Sequence, residues 1–426
     1  MIWTLVALPL LMLVLGFPIY IVLLGAGTAT LSLTMSLPLQ AIHQNVFGAL
    51  NSVSLLAVPY FIFAGELMAR GSVAERLVGL LRPMLGRLPG SLGVTTVGTA
   101  SVFGAISGAS AAAVVSVGKV MHGAMTDDGY PAPFSAGMVA SVAAIGIIIP
   151  PSIPMIVYGA ASETSIPRLY AAGLLPGALL AACLSVYIIL RARAGGFGSR
   201  QRVGLGQIGR AAMRAVWALG APVIVLGGIY GGVFSPTEAA AVASLYALLV
   251  TRLVFRELSW ADTLQAAMTT VLFTAQVFVI VAAAGLFAWV LTVNQVPQTL
   301  VAWIVSMDVS PWQFLLAVNL ILLVWGCFME PLSAILLLTP VLIPVVNALG
   351  IDKVHFGIVV TLNLAIGLFT PPFGINIFVA QSALGMKVGD IYRGVMPFFL
   401  VFLAVLLLVT LVPDIALLSA ELFMVD

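Results

Sequence analysis

The chain has 426 residues, of which 62% are hydrophobic and only 8% charged, and its formal net charge is +2. Soluble domains carry roughly 25% charged residues, so a water-soluble globular fold is excluded, and a charge so close to zero argues against a nucleic-acid partner. Apolar stretches near the roughly 20 residues that a helix needs to cross a bilayer recur from Ile2 to Leu418.

The opening segment, MIWTLVALPLLMLVLGFPIY, lacks a basic n-region and an A-x-A site, so it is expected to be a retained span rather than a cleaved signal. Spans are expected at Ile2 to Leu15, Pro18 to Ser36 and Val53 to Met68, followed by a basic connection carrying Arg70, Arg76, Arg82 and Arg87. The apolar run Leu92 to Met121 has a small and polar middle, GAISGASAAA, which predicts a hairpin that enters and leaves on one side (about 92–121). A broken span, Phe134 to Ala161 (about 134–161), and a span from Leu169 to Leu190 lead into a segment with Arg191, Arg193, Arg200, Arg202, Arg210 and Arg214 and no acid. Its glycines predict a flexible linker, with an amphipathic surface helix beginning near Arg210 to Val216.

Beyond the linker the plan recurs: spans at Trp217 to Val233 and Thr237 to Leu253, a crossing at Ala261 to Val293, and a second hairpin at Trp312 to Val346 (about 312–346). A second broken span, His355 to Ser382 (about 355–382), precedes a last span at Ile391 to Leu418. Short cytoplasmic loops accumulate Lys and Arg. The basic connections, including the one with Arg252 and Arg256, are therefore assigned to the cytoplasm. Ser36 to Leu50 and Asn294 to Ser310 have no Lys or Arg and are read as outer connections, which puts both termini outside. About five crossings plus one re-entrant hairpin in each half is an odd number of crossings. The expected fold is therefore an all-α polytopic membrane protein built as an inverted repeat, with residues 1–190 and 217–426 as the halves and 191–216 as a cytoplasmic Arg-rich linker.

The repeat is visible in the residues. Pro150 aligns with Pro371, Pro151 with Pro372, Gly173 with Gly394 and Pro176 with Pro397, all 221 positions apart, and GASA at 108–111 matches PLSA at 331–334, 223 apart. A Pro-Pro pair within a span removes two backbone donors and disfavours helix at the preceding residue. Carbonyls left without partners in hydrocarbon cost several kcal/mol each, so such a break must be buried or line a wet cavity. Two breaks in corresponding places, Gly146 to Pro154 and Gly367 to Asn376, point to a binding site made from discontinuous helices. Free carbonyls and hydroxyls suit a sodium ion, and helix N-termini suit a carboxylate.

The first hairpin tip offers Ser107, Gly108 and Ser110 and no charge. The second contains Glu330, the only charged residue from Val309 to Ile351, and an ionisable group at such depth is a functional candidate. Its alternative role is to cap the N–H groups of the returning helix. Ser333, Thr370, Gly374 and Asn376 supply the remaining polar groups of this half, and small residues at a tip serve helix packing equally well. Cys183 and Cys327 read as isolated packing residues. His43, His122 and His355 have no second ligand at helical spacing, so no metal cluster is indicated. Gly227, Gly228, Gly231 and Gly232 lack the Lys and Ser/Thr of a phosphate loop. Glu66, Glu163 and Glu238 fall near expected membrane borders, and Trp260, Trp289, Trp303 and Trp312 suit interface anchoring. An intramembrane enzyme would need a second group beside Glu330, and the expectation is that the chain is not an enzyme.

The segments SVFGAISGASAAAVVSVGKV, AAIGIIIPPSIPMIVYG, FSPTEAAAVASLYALL, MEPLSAILLLTPVLIPV and DKVHFGIVVTLNLAIGLFTPPFGINIFVA resemble the large (M) membrane subunit of tripartite ATP-independent periplasmic (TRAP) transporters over essentially the whole chain. The resemblance implies a multi-pass inner-membrane permease that imports an organic acid, such as a C4-dicarboxylate or sialic acid, by sodium symport. It also implies a small four-helix Q subunit, here separate because no fused segment is seen, and a periplasmic substrate-binding protein. The resemblance further implies elevator-type movement of hairpins and broken helices against a scaffold. It places sodium at Ser107, Gly108, Ser110, Gly146 to Pro150, Glu330, Ser333, Gly367, Thr370 and Gly374 to Asn376. The hydroxyl and amide groups of Ser107, Ser110, Ser152, Ser333, Thr370 and Asn376 are the candidates for substrate contact. The family pattern has Asp where this chain has Glu330. A stand-alone sodium/dicarboxylate carrier with paired hairpins is the alternative.

Overall fold

The computed structural model describes residues 3–35, 40–199 and 204–423, and every regular element among them is a helix. The first half runs α1 (Leu8–Val14), α2 (Ile19–Thr30), α3 (Gln40–Leu50), α4 (Ala57–Arg70), α5 (Val73–Leu85), α6 (Ser91–Ser107), α7 (Ser110–Asp127), α8 (Ala132–Val142), α9 (Ile153–Ser162) and α10 (Ile166–Gly195). The second half runs α11 (Leu205–Tyr230), α12 (Pro236–Leu249), α13 (Trp260–Val293), α14 (Val296–Ser306), α15 (Pro311–Gly326), α16 (Pro331–Ala348), α17 (Lys353–Gly367), α18 (Ile375–Leu384), α19 (Val388–Leu411) and α20 (Asp414–Phe423). Seven helices among the described residues are long and apolar enough to cross a membrane, among them α10, α13, α16 and α19.

Burial separates two classes of helix. In α6 every residue except Gly98 and Val102 is buried, and in α17 every residue except Lys353. A helix hydrophobic all round and wrapped by protein belongs to a core. By contrast α13 exposes Leu264, Met268, Val271 and Leu272, a face suited to lipid.

Packing reproduces the inverted repeat. Helix α18 lies on α7 as α9 lies on α16, α12 lies on α4 as α13 lies on α2, and α8 lies on α19 as α17 lies on α10. Exchanging the halves converts each contact into its counterpart, so one interdigitated bundle forms rather than two adjacent ones.

The structure departs from the sequence expectation in its connections. Residues 40–50, expected as a loop, form α3 and pack on α13. The polar Gln40, His43, Gln44 and Asn45 mask a helical period there, yet a side chain at Gly285 of α13 would sit 2.2 Å from Ala49 Cβ. The basic connection contains the amphipathic α5, which buries Val73, Leu77 and Leu80 and turns Glu75 and Gly79 outward. The Asn294 to Ser310 connection holds α14, and the last span divides at Val412 (φ −123°, ψ 84°) because Pro413 opposes helix before it. With its preceding turn α1 covers Trp3–Val14, about 18 Å at the helical rise against a hydrocarbon core of about 30 Å, so it falls short of the full span expected.

The Arg-rich linker is also shorter than expected. Arg191 and Arg193 sit on α10, Arg210 and Arg214 on α11, and Arg200 and Arg202 lie outside the described residues. The glycine stretch after α10 is pinned. Phe197 packs on Tyr130 and Phe134 with ring centroids 4.8 and 5.7 Å away, and Ser199 N donates to Asp128 Oδ2 at 2.8 Å.

Candidate functional site

The first hairpin is α6 and α7. Gly108 closes α6 in the left-handed region (φ 60°), where its N–H bonds Gly104 O at 2.7 Å, a position that a side chain would strain. Ser107 Oγ is buried and donates to Ala109 O at 3.3 Å within the tip. The second hairpin is α15 and α16, with Glu330 at the N-cap position of α16.

Both breaks have the same construction. Pro150–Pro151 and Pro371–Pro372 are each cis. The carbonyls of Ile147 and Leu368, again 221 positions apart, each receive a donor from across the break: Ser152 Oγ at 2.5 Å and Asn376 N at 2.8 Å. Ser152 is fully buried with its hydroxyl proton committed to closing the break. Thr370 Oγ1 likewise donates to Ile366 O at 2.6 Å but remains half-buried, and Gly374 N donates to Thr370 O at 3.0 Å.

The hairpins are backed directly onto the breaks by glycine pairs. A Cβ on Gly104 would lie 2.1 Å from Gly146 Cα, and one on Gly367 would lie 2.5 Å from Gly326 O. Gly146 and Gly367, expected as ion ligands through their carbonyls, thus occupy the close-packed joint between tip and break. Ile153, which begins α9, lies against Gly108, where a Cβ would meet Ile153 Cγ1 at 3.1 Å.

Asn376 joins the halves. Its Nδ2 donates to Ser110 Oγ at 2.7 Å and to Ala140 O at 2.9 Å, so the start of α18 is tied to the first tip and to α8. The residue is fully buried, and its Oδ1 accepts no hydrogen bond among the described residues. A buried amide oxygen of this kind is a rare state that calls for a partner. At the second tip Ser333 Oγ donates to Glu330 Oε1 at 3.3 Å, and the carboxylate makes no bond to the first-turn N–H groups of α16. Glu330 therefore stands at the cap position without capping.

Among α7, α9, α16 and α18, which begin at the tips and breaks, none has a side-chain N-cap bond. Elsewhere α10, α12, α13 and α17 are capped by Ser165, Ser235, Ser259 and Asp352, whereas α6, α8, α11 and α19 also start without a side-chain cap bond. Free N–H groups at a helix start, with the dipole behind them, attract anions. The site thus presents neutral and acidic oxygens that suit a cation beside helix ends that suit a carboxylate.

Several groups escape sequence reading. Gly104 and Gly326 are 222 positions apart, inside the drift between the two offsets, and that register is the signal that could have found them. Phe328 and Phe373 pack at 5.4 Å between centroids and stand 63% and 55% exposed beside the second tip. Nothing in the repeat marks them, since their counterparts are Ala105 and Ser152. A buried chain of Asn363, Asn319 and Thr410 links α17, α15 and α19 through bonds of 2.7 and 2.9 Å.

Comparison with known proteins bears on this geometry. Residues 6–415 match the family model described as the tripartite ATP-independent periplasmic transporter, DctM component. The chain is 40% identical over 392 residues to the C4-dicarboxylate TRAP transporter large permease protein DctM of Pseudomonas aeruginosa, covering 92% of each. It is 41% identical to the isethionate TRAP transporter permease protein DctMQ of Oleidesulfovibrio alaskensis, covering 95% of this chain and 64% of that one. In three dimensions it resembles the Alcanivorax borkumensis YdaH transporter, with a TM-score of 0.63 and 17% identity over 87% of this chain and 86% of that one, a likeness of fold.

Proposed function

Because this chain belongs to the DctM family of tripartite ATP-independent periplasmic transporters, we propose that it is the large permease subunit of a sodium-coupled importer of organic acids in the inner membrane. A separate small membrane subunit and a periplasmic binding protein complete the system in this reading. The observation that carries it is the Asn376 junction, where a buried oxygen with no donor among the described residues lies at the meeting of a hairpin tip and a broken helix.

Donors present at the two tips fit a hard monovalent cation: Asn376 Oδ1 with Ser107 and Ser110 at the first, Glu330 and Ser333 at the second, with Thr370 in the break between. Bound there, sodium supplies positive charge that favours an incoming carboxylate. The uncapped starts of α7, α9 and α16 receive the anion through backbone N–H groups. Asn376 holds α18 against α7 and α8, so loading at the first tip bears on the second half. The hairpins and breaks then move together as an elevator-type body. A small cavity of about 200 Å³ lies where α9 and α16 face α13, lined by the small residues Ala160, Ala161, Ala284, Gly285 and Ala288 together with Leu55, Val157, Val281, Leu336 and Pro340.

Uptake in proteoliposomes, with and without the cognate binding protein, tests the assignment. Transport that requires that protein is expected. Full-rate transport in its absence would indicate a stand-alone sodium/dicarboxylate carrier instead.

A further inference from the structure

On the face that the Arg asymmetry assigns to the cytoplasm, α5 and the first turns of α11 border a cavity of about 640 Å³, away from the hairpin tips and breaks. Five charged side chains face it: Glu75, Arg76 and Glu257 on one side, Arg210 and Arg214 on α11. Arg76 Nη2 donates to Glu257 Oε1 at 2.8 Å, and Ser72 donates to the same carboxylate through N and Oγ. Burial pushes the Glu257 carboxyl up, but the Ser72 donors and the Arg76 charge outweigh it and hold the group below the usual carboxylate range. That pair is self-neutralising. Arg210 and Arg214 then stand against Glu75 alone, and among the described residues neither guanidinium forms a salt bridge.

Arg210 and Arg214 are one helical turn apart and share a face of α11. Beyond Arg214 the same helix is apolar and exposed at Val216 and Trp217, at 54% and 47%, and Met213 between the two arginines is 73% exposed. Arginine followed by an exposed aromatic and apolar turn is the order of groups met on passing from headgroup to acyl region. We infer that this cavity binds the headgroup of an anionic phospholipid of the cytoplasmic leaflet, with Arg210 and Arg214 holding its phosphodiester and its acyl chains lying on Met213, Val216 and Trp217. One phosphodiester charge balances the single uncompensated positive charge of the cavity. Guanidinium pairs suit phosphate oxygens through two-pronged hydrogen bonds, and basic pockets between helices on this face are suited to anionic headgroups.

The test is thermal unfolding of the purified full-length protein in neutral detergent, titrated with phosphatidylglycerol, phosphatidylcholine or soluble glycerol phosphate. Phosphatidylglycerol is expected to raise Tm while the other two do not. In the Arg210→Gln/Arg214→Gln variant its half-effective concentration should rise at least about tenfold, whereas Arg191→Gln/Arg193→Gln, which removes equal charge outside the cavity, should leave it unchanged. Native mass spectrometry of the single variants Arg210→Gln and Arg214→Gln, which should each retain less phosphatidylglycerol than the unaltered protein, covers the case of a poorly folding double variant. An equal shift in both double variants, a shift produced as well by phosphatidylcholine or glycerol phosphate, or undiminished lipid retention in the single variants would overturn the assignment.

Discussion

Replacing Asn376 with leucine, a residue of similar volume, removes both bonds that tie α18 to the first half, to Ser110 Oγ at 2.7 Å and to Ala140 O at 2.9 Å. A neutral hydrogen bond contributes about 1 kcal/mol net, so the pair amounts to about 2 kcal/mol. The substitution also deletes Oδ1, the buried oxygen without a donor. If that oxygen serves sodium, a loss of about 2 kcal/mol expressed in binding raises the half-saturating sodium concentration roughly thirtyfold. Uptake in proteoliposomes at graded sodium reads this directly, and a melt in sodium-free buffer separates the structural part. Ser110→Ala removes one of the two bonds and should have about half the effect on stability. The double variant should fall short of the sum by about 1 kcal/mol, because the shared bond is lost only once. A folded Asn376→Leu protein with unchanged sodium dependence, or strictly additive stability losses, would refute the reasoning.

Other substitutions probe the rest of the site and its surroundings. Since Glu330 makes no cap bond, Glu330→Gln should leave insertion intact and weaken uptake at limiting sodium by about tenfold or less, the difference between a charged hydrogen bond and a neutral one; excess sodium should restore part of the rate, and Glu330→Asp should be milder. Gly104→Ala or Gly367→Ala places a methyl against backbone at 2.1 or 2.5 Å and should cost about 1–3 kcal/mol or more by overpacking, with transport lost. Gly389→Ala, which meets nothing within 4 Å, should be tolerated in the same melt and uptake assays. Glu257 titrates below its ordinary 4.5 in the folded protein, so its stabilisation is full above that value and is lost as pH falls through the depressed one. Melts across acidic pH should show this loss, and Glu257→Gln should flatten it.

The long apolar helices and the two breaks were legible because each rests on a local signal that hydrocarbon enforces, long apolar runs for the one and paired prolines for the other. The inverted repeat was legible in four Pro and Gly landmarks at one offset, and the packing of α18 on α7 and α9 on α16 expresses the same relation. What escaped depends on contacts between distant segments. Helices α3 and α14 are short and lie in stretches that charge counting marks only as lacking Lys and Arg. The role of Gly146 is visible only opposite Gly104. That Ser152 is committed to Ile147 O while Asn376 Oδ1 accepts nothing among the described residues cannot be inferred from side-chain chemistry, since both read as polar groups at a break.

Sodium is the proposed coupling ion at the hairpin and break assembly. Proteoliposomes containing the permease, its small membrane subunit and the binding protein loaded with an organic acid allow one decisive measurement: initial uptake under an inward sodium gradient, before and after a sodium ionophore, without ATP. Uptake should follow the gradient, collapse with the ionophore and require more sodium in the Asn376→Leu protein. Uptake of equal rate in sodium-free medium would contradict the account.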